Sequence, residues 1–339
     1  MHIPLWTSTL ATVAVASALP TLPPAGTLIP SNTTFPLPGP ITGDRLAIHI
    51  HDPAVAKFNG TYFLFSTHNN ISIATAPALK GPWTRAGQVL MNGSVIPNQG
   101  SLDPWAPDVH NINGTFFLYY TVSTFGTRES SIGVATSRTM APGTWTDYGA
   151  VITTGKTTPQ SHGFTALSTS NALDPNLFYD PFSGNATLQW GSFFSNIWQV
   201  PMDAGLIAPR SGSPPIAFEP AAPSPVEGSF LHQAQANGWY YLFFSHGVCC
   251  GYKIKVARSE SIAGPFYDKS GRSALQGGGE VIFASQGHVY GPGGQGVFTE
   301  DDGTDILYYH YVDTREGFSD FKLLGYNNIT YVDGWPVLV

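Results

Sequence analysis

Charged side chains are scarce in this sequence: Asp, Glu, Lys and Arg make up 11% of its 339 residues. The 15 Lys and Arg residues are outnumbered by 22 Asp and Glu residues, which gives a net charge of −7, and they form no basic cluster. Nucleic acids and anionic membranes attract proteins through basic surfaces, so neither is expected as a partner. A neutral, polar ligand fits this composition better.

Long hydrophobic runs and helical periodicity are also missing. Beyond residue 18, no stretch approaches the ~20 consecutive apolar residues that a membrane-spanning helix needs. The 37 glycines and 28 prolines are spread along the chain, and no window between them sustains a long 3.6-residue repeat of apolar side chains. Hydrophobic residues nevertheless make up 42% of the chain, enough for a large core. We therefore predict an all-β fold.

Cysteine is nearly absent, and the two that occur, Cys249 and Cys250, are neighbours. Adjacent Cα atoms lie ~3.8 Å apart, which is less than the span of about 4.4–6.8 Å that disulfides usually bridge. Two interpretations remain open: a strained vicinal disulfide in an oxidising compartment, or two buried free thiols. Metal binding by this pair alone is not expected.

The N-terminus carries a candidate export signal. Residues 1–18 (MHIPLWTSTLATVAVASA) combine a short apolar segment with the small-residue ending Ala16-Ser17-Ala18, and they predict a secretory signal peptide. Residues 19–42 are rich in Pro, Ser and Thr and predict a linker or a tail that wraps the surface. Seven N-x-S/T sequons agree with secretion and glycosylation. They begin at Asn32, Asn59, Asn70, Asn92, Asn113, Asn185 and Asn328.

A hairpin-like unit recurs five times in the remainder of the chain. In its clearest copy, residues 102–123, two strand-like runs flank Asn113-Gly114, the pair that a type I′ hairpin turn favours. The turn glycines of the five copies, Gly60, Gly114, Gly184, Gly238 and Gly303, follow one another at intervals of 54 to 70 residues. Five repeats of about four short strands predict a five-bladed β-propeller, with residues 43–339 as a single domain.

A polar residue opens the first strand-like run of each repeat. The five openers are Asp52, Asp108, Asp174, Glu227 and His288. The first strand of each propeller blade lines the central axis, so these side chains are expected to converge on a common pocket. Clustered carboxylates are costly unless a cation lies among them or their pKa values are pushed apart, which favours a catalytic site. The alternative for any single Asp is that it only caps a turn.

Several short motifs around these residues resemble those of glycoside hydrolase family 43, and within it those of the endo-α-1,5-L-arabinanases most of all. The resemblance covers nearly everything from residue 45 onward, in the order of the family. It is carried by HDPAV (51–55), WAPDV (105–109), SIGVATS (131–137), LDPNLF (173–178), VEG at the start of VEGSFL (226–231), CCGY (249–252) and GHVYGPGGQGV (287–297).

The resemblance implies a five-bladed propeller with an inverting glycosidase site. It assigns Asp52 as general base, Asp174 as the carboxylate that orients the acid and tunes its pKa, and Glu227 as general acid. It also places His288 beneath a central ion, usually calcium, which water molecules would mostly coordinate. Asp108 is expected to be structural. One departure is Ser229, which stands where the family often has proline after its acid.

Sugars bind to aromatic faces and to a few well-placed polar groups. Trp105 and Phe125 are the candidates for stacking against sugar rings. His51, Asn176 and Ser192 are the candidate polar contacts, with a core role as the alternative in each case. A transition-metal site at His49 and His51 is disfavoured because no third ligand of matching type lies nearby in the sequence.

The leading hypothesis is a secreted, extracellular, monomeric endo-α-1,5-L-arabinanase that cleaves plant cell-wall arabinan with inversion. An exo-acting arabinanase or a β-xylosidase on the same fold is the first alternative, because the fold alone does not fix the substrate. A non-catalytic sugar-binding propeller is the second alternative, and the presence of all three carboxylates argues against it, because sugar binding alone needs no acid. A retaining glycosidase of the invertase type is disfavoured because the W-x-N-D-P-N-G pattern is absent.

Overall fold

A computed structural model describes most of the chain. The described residues are 28, 30, 31, 34–155, 168–210, 212, 214–249, 251–316 and 322–339. The predicted signal peptide, residues 1–18, lies outside them, as do Asn32 and Cys250.

The described residues contain twenty β-strands, which form five four-stranded antiparallel sheets. Each sheet takes four consecutive strands in chain order and is one blade of a five-bladed β-propeller, which confirms the predicted fold. Blade 1 contains β1 (Ala54–Phe58), β2 (Thr61–Ser66), β3 (Ser72–Ala76) and β4 (Thr84–Gln88). Blade 2 contains β5 (Trp105–Ile112), β6 (Thr115–Val122), β7 (Ser131–Ser137) and β8 (Thr146–Thr153).

The other three blades follow the same order. Blade 3 contains β9 (Asn176–Tyr179), β10 (Ala186–Trp190), β11 (Ile197–Pro201) and β12 (Pro215–Ala217). Blade 4 contains β13 (Val226–Gln233), β14 (Tyr240–His246), β15 (Lys253–Ser259) and β16 (Glu280–Phe283). Blade 5 contains β17 (Val289–Thr299), β18 (Asp305–Asp313), β19 (Leu323–Val332) and β20 (Trp335–Leu338). The helical elements of the described chain are short: α1 (Arg45–Ile48) and a 3₁₀ turn (Ala274–Gln276).

Asn-Gly turns join the first two strands of blades 1 and 2, as the sequence predicted. Asn59 and Gly60 have φ angles of 49° and 76°, and Asn113 and Gly114 have 52° and 75°. These left-handed conformations are the ones that a type I′ turn requires at both central positions. Each turn fixes the register of its hairpin, so that Phe58 pairs with Thr61 in blade 1.

The hydrophobic core lies between the blades. Five clusters of buried side chains each join two neighbouring sheets, so every blade packs on both of its faces. The cluster between blades 5 and 1 closes the ring and contains Leu64 of β2, Trp83 beside β4, and Leu324 of β19. Burial of apolar area on both faces is what stabilises sheets that share no strands.

The segment that precedes blade 1 also crosses this closing interface. Residues 34–42, which we call the strap, run over blades 5 and 1. The backbone of Phe35 donates to Gln286 Oε1 at 2.9 Å and accepts from Gln286 Nε2 at 2.6 Å. Farther along, Asn327 Nδ2 donates to the Leu37 carbonyl, and the Trp83 N–H donates to the Thr42 carbonyl, both at 2.9 Å. This part of the predicted tail therefore wraps the surface.

The innermost strand of each blade begins at the same face of the propeller. β1 leaves this face just after Asp52 and reaches the Asn59-Gly60 turn at the opposite end, and β2 returns. Loops between second and third strands therefore share a face with the predicted catalytic residues, while the Asn-Gly turns lie on the other face. Among the described residues, no helix has the length and apolar character that crossing a membrane requires.

Candidate active site

A cavity of about 930 Å³ opens at the face where the innermost strands begin. Its walls come from all five blades. Asp52, Asp174 and Glu227 all line it, although they belong to three different blades. The fold thus brings together the three carboxylates that the sequence singled out.

Asp52 and Asp174 have the same unusual backbone conformation. Their φ angles are 47° and 54°, in the left-handed region that non-glycine residues rarely adopt, and each precedes a proline. Ala106, with a φ of 46° before Pro107, occupies the corresponding place in blade 2. Such conformations cost of order 1–3 kcal/mol and accumulate at functional sites. The residue of blade 2 that corresponds to Asp52 is therefore Ala106, and Asp108 lies two positions further along the strand.

Asp108 also lines the cavity, but its carboxylate is hydrogen-bonded to protein groups, which supports the structural role expected for it. Its side chain is 4% exposed and accepts hydrogen bonds from the Leu177 N–H at 2.7 Å and from Asn176 Nδ2 at 3.2 Å. It also lies 2.7 Å from His110 Nε2. These contacts join blade 2 to blade 3.

Asn176, a predicted polar contact with the substrate, does not line the cavity. It is 1% exposed, and its Oδ1 accepts from the Leu231 N–H at 2.8 Å while its Nδ2 donates to Asp108. Both ends of the amide are thus occupied by protein. The predicted contact with substrate is replaced by a role in joining blades 2, 3 and 4.

A hydroxyl donates to the Asp52 carboxylate, and two imidazoles lie close to it. Thr67 Oγ1 donates to its Oδ2 at 2.9 Å. On the other side, His51 Nε2 and His310 Nδ1 lie 3.5 and 3.6 Å from its Oδ1. The His310 Nδ1 atom also accepts the backbone N–H of Asp52 at 3.2 Å. The carboxylate is a quarter exposed, toward the cavity, so it can reach a water molecule there.

Glu227 is bonded at both of its carboxyl oxygens. Ser192 Oγ lies 2.5 Å from Oε2, and the phenol of Tyr252 donates to Oε1. The next residue, Gly228, has a φ of 61° and donates its N–H to Asp174 Oδ2 at 3.1 Å. Ser192, which the sequence predicted as a substrate contact, lines the cavity and touches Glu227 directly. Tyr252 lines it as well and was not singled out from the sequence.

Burial and mutual repulsion raise the pKa values of two of the carboxyls. The pKa of Asp174 is raised well above its usual value by burial first and then by the charges of Glu227 and Asp52. Burial is also the largest cause of the raised pKa of Glu227; hydrogen bonds from Ser192 and Tyr252 oppose it, and the charge of Asp52 reinforces it. The sequence predicted that repulsion from Asp174 raises the pKa of Glu227, whereas here the charge of Glu227 raises the pKa of Asp174. Because repulsion is reciprocal, the two carboxyls titrate as a coupled pair.

Aromatic side chains surround the cavity mouth. Trp105 and Phe125 both line it, as predicted, and Phe125 is 77% exposed. Phe193 and Phe194 line it too, with φ angles of 52° and 49°, and the Arg128 guanidinium lies 5.7 Å from the Phe194 ring centre. Two consecutive left-handed phenylalanines could not be foreseen from the sequence, which shows only Phe-Phe after Ser192.

Three side chains beneath the cavity could hold a cation. Ligand atoms of His51, Asp52 and His310 all lie within 4.8 Å of one another. Burial lowers the pKa of His51 to about 4, although the charge of Asp52 opposes this, and it lowers the pKa of His310 well below its usual value. Both imidazoles are therefore neutral near pH 7, the form that binds metals.

His288, the predicted ligand, lies elsewhere. It precedes β17, does not line the cavity, and accepts the Thr314 N–H at its carbonyl. The histidine that reaches Asp52 is His310, on the second strand of blade 5 rather than the first. Both histidines belong to the fifth repeat. The sequence pattern pointed to His288 because it opens that repeat.

Cys249 lines the cavity and is disulfide-bonded. The described residues contain no free cysteine. Cys250, the only other cysteine in the sequence, lies outside the described residues. Of the two interpretations of this pair, the disulfide agrees with the structure.

We expect Asp174→Asn to stabilise the fold at neutral pH. The pKa of Asp174 is higher in the folded than in the unfolded protein. The folded state is therefore favoured while this carboxyl is protonated, at acid pH, and it loses free energy of unfolding as the pH rises through the raised pKa. An asparagine stays neutral and can still accept the Gly228 N–H. The melting temperature should rise by about 3 °C at pH 7, and the difference should vanish at pH 3, below the ordinary aspartate pKa of about 3.9.

The matched control is Asp108→Asn, which also replaces a carboxylate by an amide. Asp108 uses both of its oxygens as acceptors, so its variant should melt below the wild type at pH 7. If Asp174→Asn melted below the wild type at pH 7, the charge of Asp174 would not be destabilising the folded state, and the prediction would be wrong.

Comparison with known proteins identifies the family. The sequence pattern described as "Glycosyl hydrolases family 43" matches residues 45–336. A protein of Aspergillus clavatus named probable arabinan endo-1,5-alpha-L-arabinosidase A is 47% identical over 315 residues, which cover 89% of this chain and 93% of that protein. Arabinan endo-1,5-alpha-L-arabinosidase A of Aspergillus niger is 42% identical over 304 residues, which cover 85% and 90%.

Solved structures agree on the fold. An exo-1,5-alpha-L-arabinanase from a bovine ruminal metagenomic library superimposes with a TM-score of 0.77 at 31% identity, covering 88% of this chain and 99% of that one. An endo-arabinanase of Bacillus licheniformis gives 0.74 at 32% identity, with the same coverage. An alpha-L-arabinanase of Cellvibrio cellulosa complexed with arabinohexaose gives 0.74 at 27% identity, covering 86% and 96%. With three carboxylates gathered in one cavity and a family match that spans the propeller, this chain belongs to glycoside hydrolase family 43.

Proposed function

We propose that this protein is a secreted endo-α-1,5-L-arabinanase that hydrolyses arabinan with inversion at the anomeric carbon. The observation that carries the proposal is the convergence of Asp52, Asp174 and Glu227 in one cavity. The names of the Aspergillus relatives support arabinan as the substrate and an endo mode of cleavage. One similar solved structure is an exo-1,5-alpha-L-arabinanase, so the product analysis described below distinguishes endo from exo cleavage.

The two catalytic carboxyls divide the chemistry. Glu227 gives its proton to the glycosidic oxygen while the bond from that oxygen to the anomeric carbon breaks, and the bonding electrons remain on the oxygen. Asp52 accepts a proton from a water molecule, whose oxygen attacks the anomeric carbon from the opposite face. Glu227 ends ionised and Asp52 ends protonated, and exchange with solvent restores both.

The raised pKa of Glu227 suits the role of acid, because a general acid must hold its proton near the working pH. Asp174 contributes in two ways. Its carboxylate accepts the N–H of Gly228, the residue after the acid, and thereby fixes the backbone there. Its coupling to Glu227 favours one shared proton over two charges.

Substrate binding would use the aromatic rim and the polar groups around the carboxylates. Trp105, Phe125, Phe193 and Phe194 offer flat apolar faces at the mouth of the cavity, which suit sugar rings. His51 lies at its floor beside Asp52. A mouth bordered by several aromatic rings can hold sugars on both sides of the scissile bond, as endo cleavage requires.

Secretion is supported by residues 1–18 and by the positions of the sequons. Asn59, Asn113 and Asn185 are exposed at hairpin turns, on the face opposite the cavity. Glycans there would leave the cavity open. Mass spectrometry of the protein secreted by a fungal host should find a mature chain without residues 1–18.

The residues beneath the cavity fit a bound cation such as calcium. A Cβ atom at Gly294 would lie 2.6 Å from His310 Nδ1 and 2.8 Å from Asp52 Oδ1, so the glycine keeps this space free. His310, with Asp52 and His51, would hold the ion, and calcium would complete its shell with water. Such an ion would offset the negative charge gathered in the cavity.

The function is tested by NMR of the fresh products formed from linear α-1,5-arabinan, with xylan as the control substrate. We expect arabino-oligosaccharides of several lengths, initially of the β configuration, and no products from xylan. Release of a single product length would indicate the exo mode. Products that retain the α configuration, or inactivity on arabinan, would contradict the proposal.

Replacing the acid should affect substrates according to their leaving groups. Glu227→Gln should lower kcat on arabinan by about 10²–10⁴-fold, the usual contribution of general acid catalysis. It should largely spare an aryl arabino-oligosaccharide, whose phenolate leaves without protonation. Asp52→Asn should lower kcat on both substrates, because each needs the attacking water. Substantial activity of Asp52→Asn on either substrate would remove Asp52 as the base.

The ion is tested by elemental analysis of the purified protein and of two histidine variants. We expect about one equivalent of bound ion in the wild type and in His288→Gln, and its loss in His310→Gln, because His310 lies beside Asp52 and His288 does not belong to this cluster. The melting temperature of the wild type should fall on chelation. If only His288→Gln lost the ion, His288 would be the ligand, as the sequence predicted, and the site at His310 would be wrong.

A further inference from the structure

The two oxygens of Glu227 have different hydrogen-bond partners. Ser192, from the loop after β10 in blade 3, lies 2.5 Å from Oε2. Tyr252, directly before β15 in blade 4, donates its phenol proton to Oε1. We propose that Tyr252 is a positioning residue for the acid: it keeps Oε1 as an acceptor, and so places the transferable proton on Oε2. The inference rests on the proposed function.

The hydrogen-bonding capacities of the two hydroxyls lead to this assignment. A protonated carboxyl has one carbonyl oxygen, which accepts, and one O–H, which donates. The buried phenol of Tyr252 needs an acceptor for its proton, and Glu227 Oε1 is the hydrogen-bond partner that the described structure gives it. A proton on Oε1 would compete with the phenol proton for the same short contact. On Oε2, the proton instead meets Ser192, whose hydroxyl can accept as readily as it donates.

Packing fixes the direction of the phenol. Tyr252 is 6% exposed, and its ring lies against the backbone of Gly293 in β17. A Cβ atom at Gly293 would come within 2.7 Å of the ring, so this approach requires glycine. The His310 ring lies on another side, with its centre 6.0 Å away. The ring is thus held between blades 4 and 5 and cannot turn its hydroxyl away from Glu227 without disturbing both.

The contact should also strengthen during the reaction. As the Oε2–H bond breaks and the proton joins the glycosidic oxygen, negative charge spreads over both oxygens of Glu227. A hydrogen bond to a charged acceptor is stronger than one to a neutral acceptor. The bond from Tyr252 to Oε1 therefore stabilises the transition state more than the resting acid, which is the condition for accelerating the chemical step.

The test compares two substrates in Tyr252→Phe, which removes the hydroxyl and keeps the ring on Gly293. On linear arabinan, we expect kcat to fall about tenfold or more, the effect of one hydrogen bond to a developing charge, with little change in KM. On an aryl arabino-oligosaccharide, which needs no proton from Glu227, kcat should change by less than about threefold. The ratio of the two kcat values does not depend on the fraction of folded enzyme, so partial misfolding cannot imitate this result.

The matched control is Tyr119→Phe, which removes another buried phenol. The Tyr119 hydroxyl donates to the Leu206 carbonyl at 2.5 Å in the core between blades 2 and 3, and it does not line the cavity. Its variant should keep the wild-type ratio of kcat values. An unchanged ratio in Tyr252→Phe would overturn the proposal, and so would equal losses on both substrates. If the wild type itself did not cleave arabinan, the proposed function would fail instead.

Discussion

Repulsion among three carboxylates in one cavity is the constraint on which the site depends. Asp52, Asp174 and Glu227 would each be better hydrated in an unfolded chain, and bringing them together raises the free energy of the folded state. The packing of five blades supplies the compensating free energy, since the clusters between them bury large side chains such as Trp83 and Trp190 completely. The cost falls mainly on Asp174 and Glu227, whose pKa values burial raises.

The scaffold meets this constraint with a repeated backbone feature. Blades 1, 2 and 3 begin with a left-handed residue before proline, which is Asp52, Ala106 and Asp174 in turn. Blade 4 has left-handed Gly228 at this level, directly after Glu227. The same conformation thus recurs with different side chains. The carboxylates proposed to act on the substrate come from blades 1, 3 and 4, whereas the carboxylate of blade 2, Asp108, bonds to Leu177 and Asn176 of blade 3.

Much of this arrangement could be predicted from the sequence. The Asn-Gly turns marked the hairpins because their conformation is local and needs two residues with positive φ. The three acidic residues of the cavity were found because short motifs surround them. The exceptions were Asn176 and His288. Asn176 lies two residues past Asp174, where groups of the neighbouring blades bond both ends of its amide. His288 was chosen because it opens the fifth repeat, but the histidine beside Asp52 comes from β18, the second strand of that blade. Tyr252 was noted only as the end of the CCGY motif, and its bond to Glu227 joins two parts of blade 4 that are 25 residues apart in the chain. The position of His310 depends on a contact between blades 5 and 1, which no local pattern records.

The strap has a consequence for how the chain is assembled. Phe35 bonds to a residue 251 positions later, and Leu37 to one 290 positions later. During synthesis the N-terminal part emerges first, so the strap waits for its docking site until nearly the whole chain has been made. Until then, Leu64 and its apolar neighbours in blade 1 lack the blade 5 side chains that cover them. The uncovered face of blade 1 is therefore the surface that chaperones of the producing cell would need to shield.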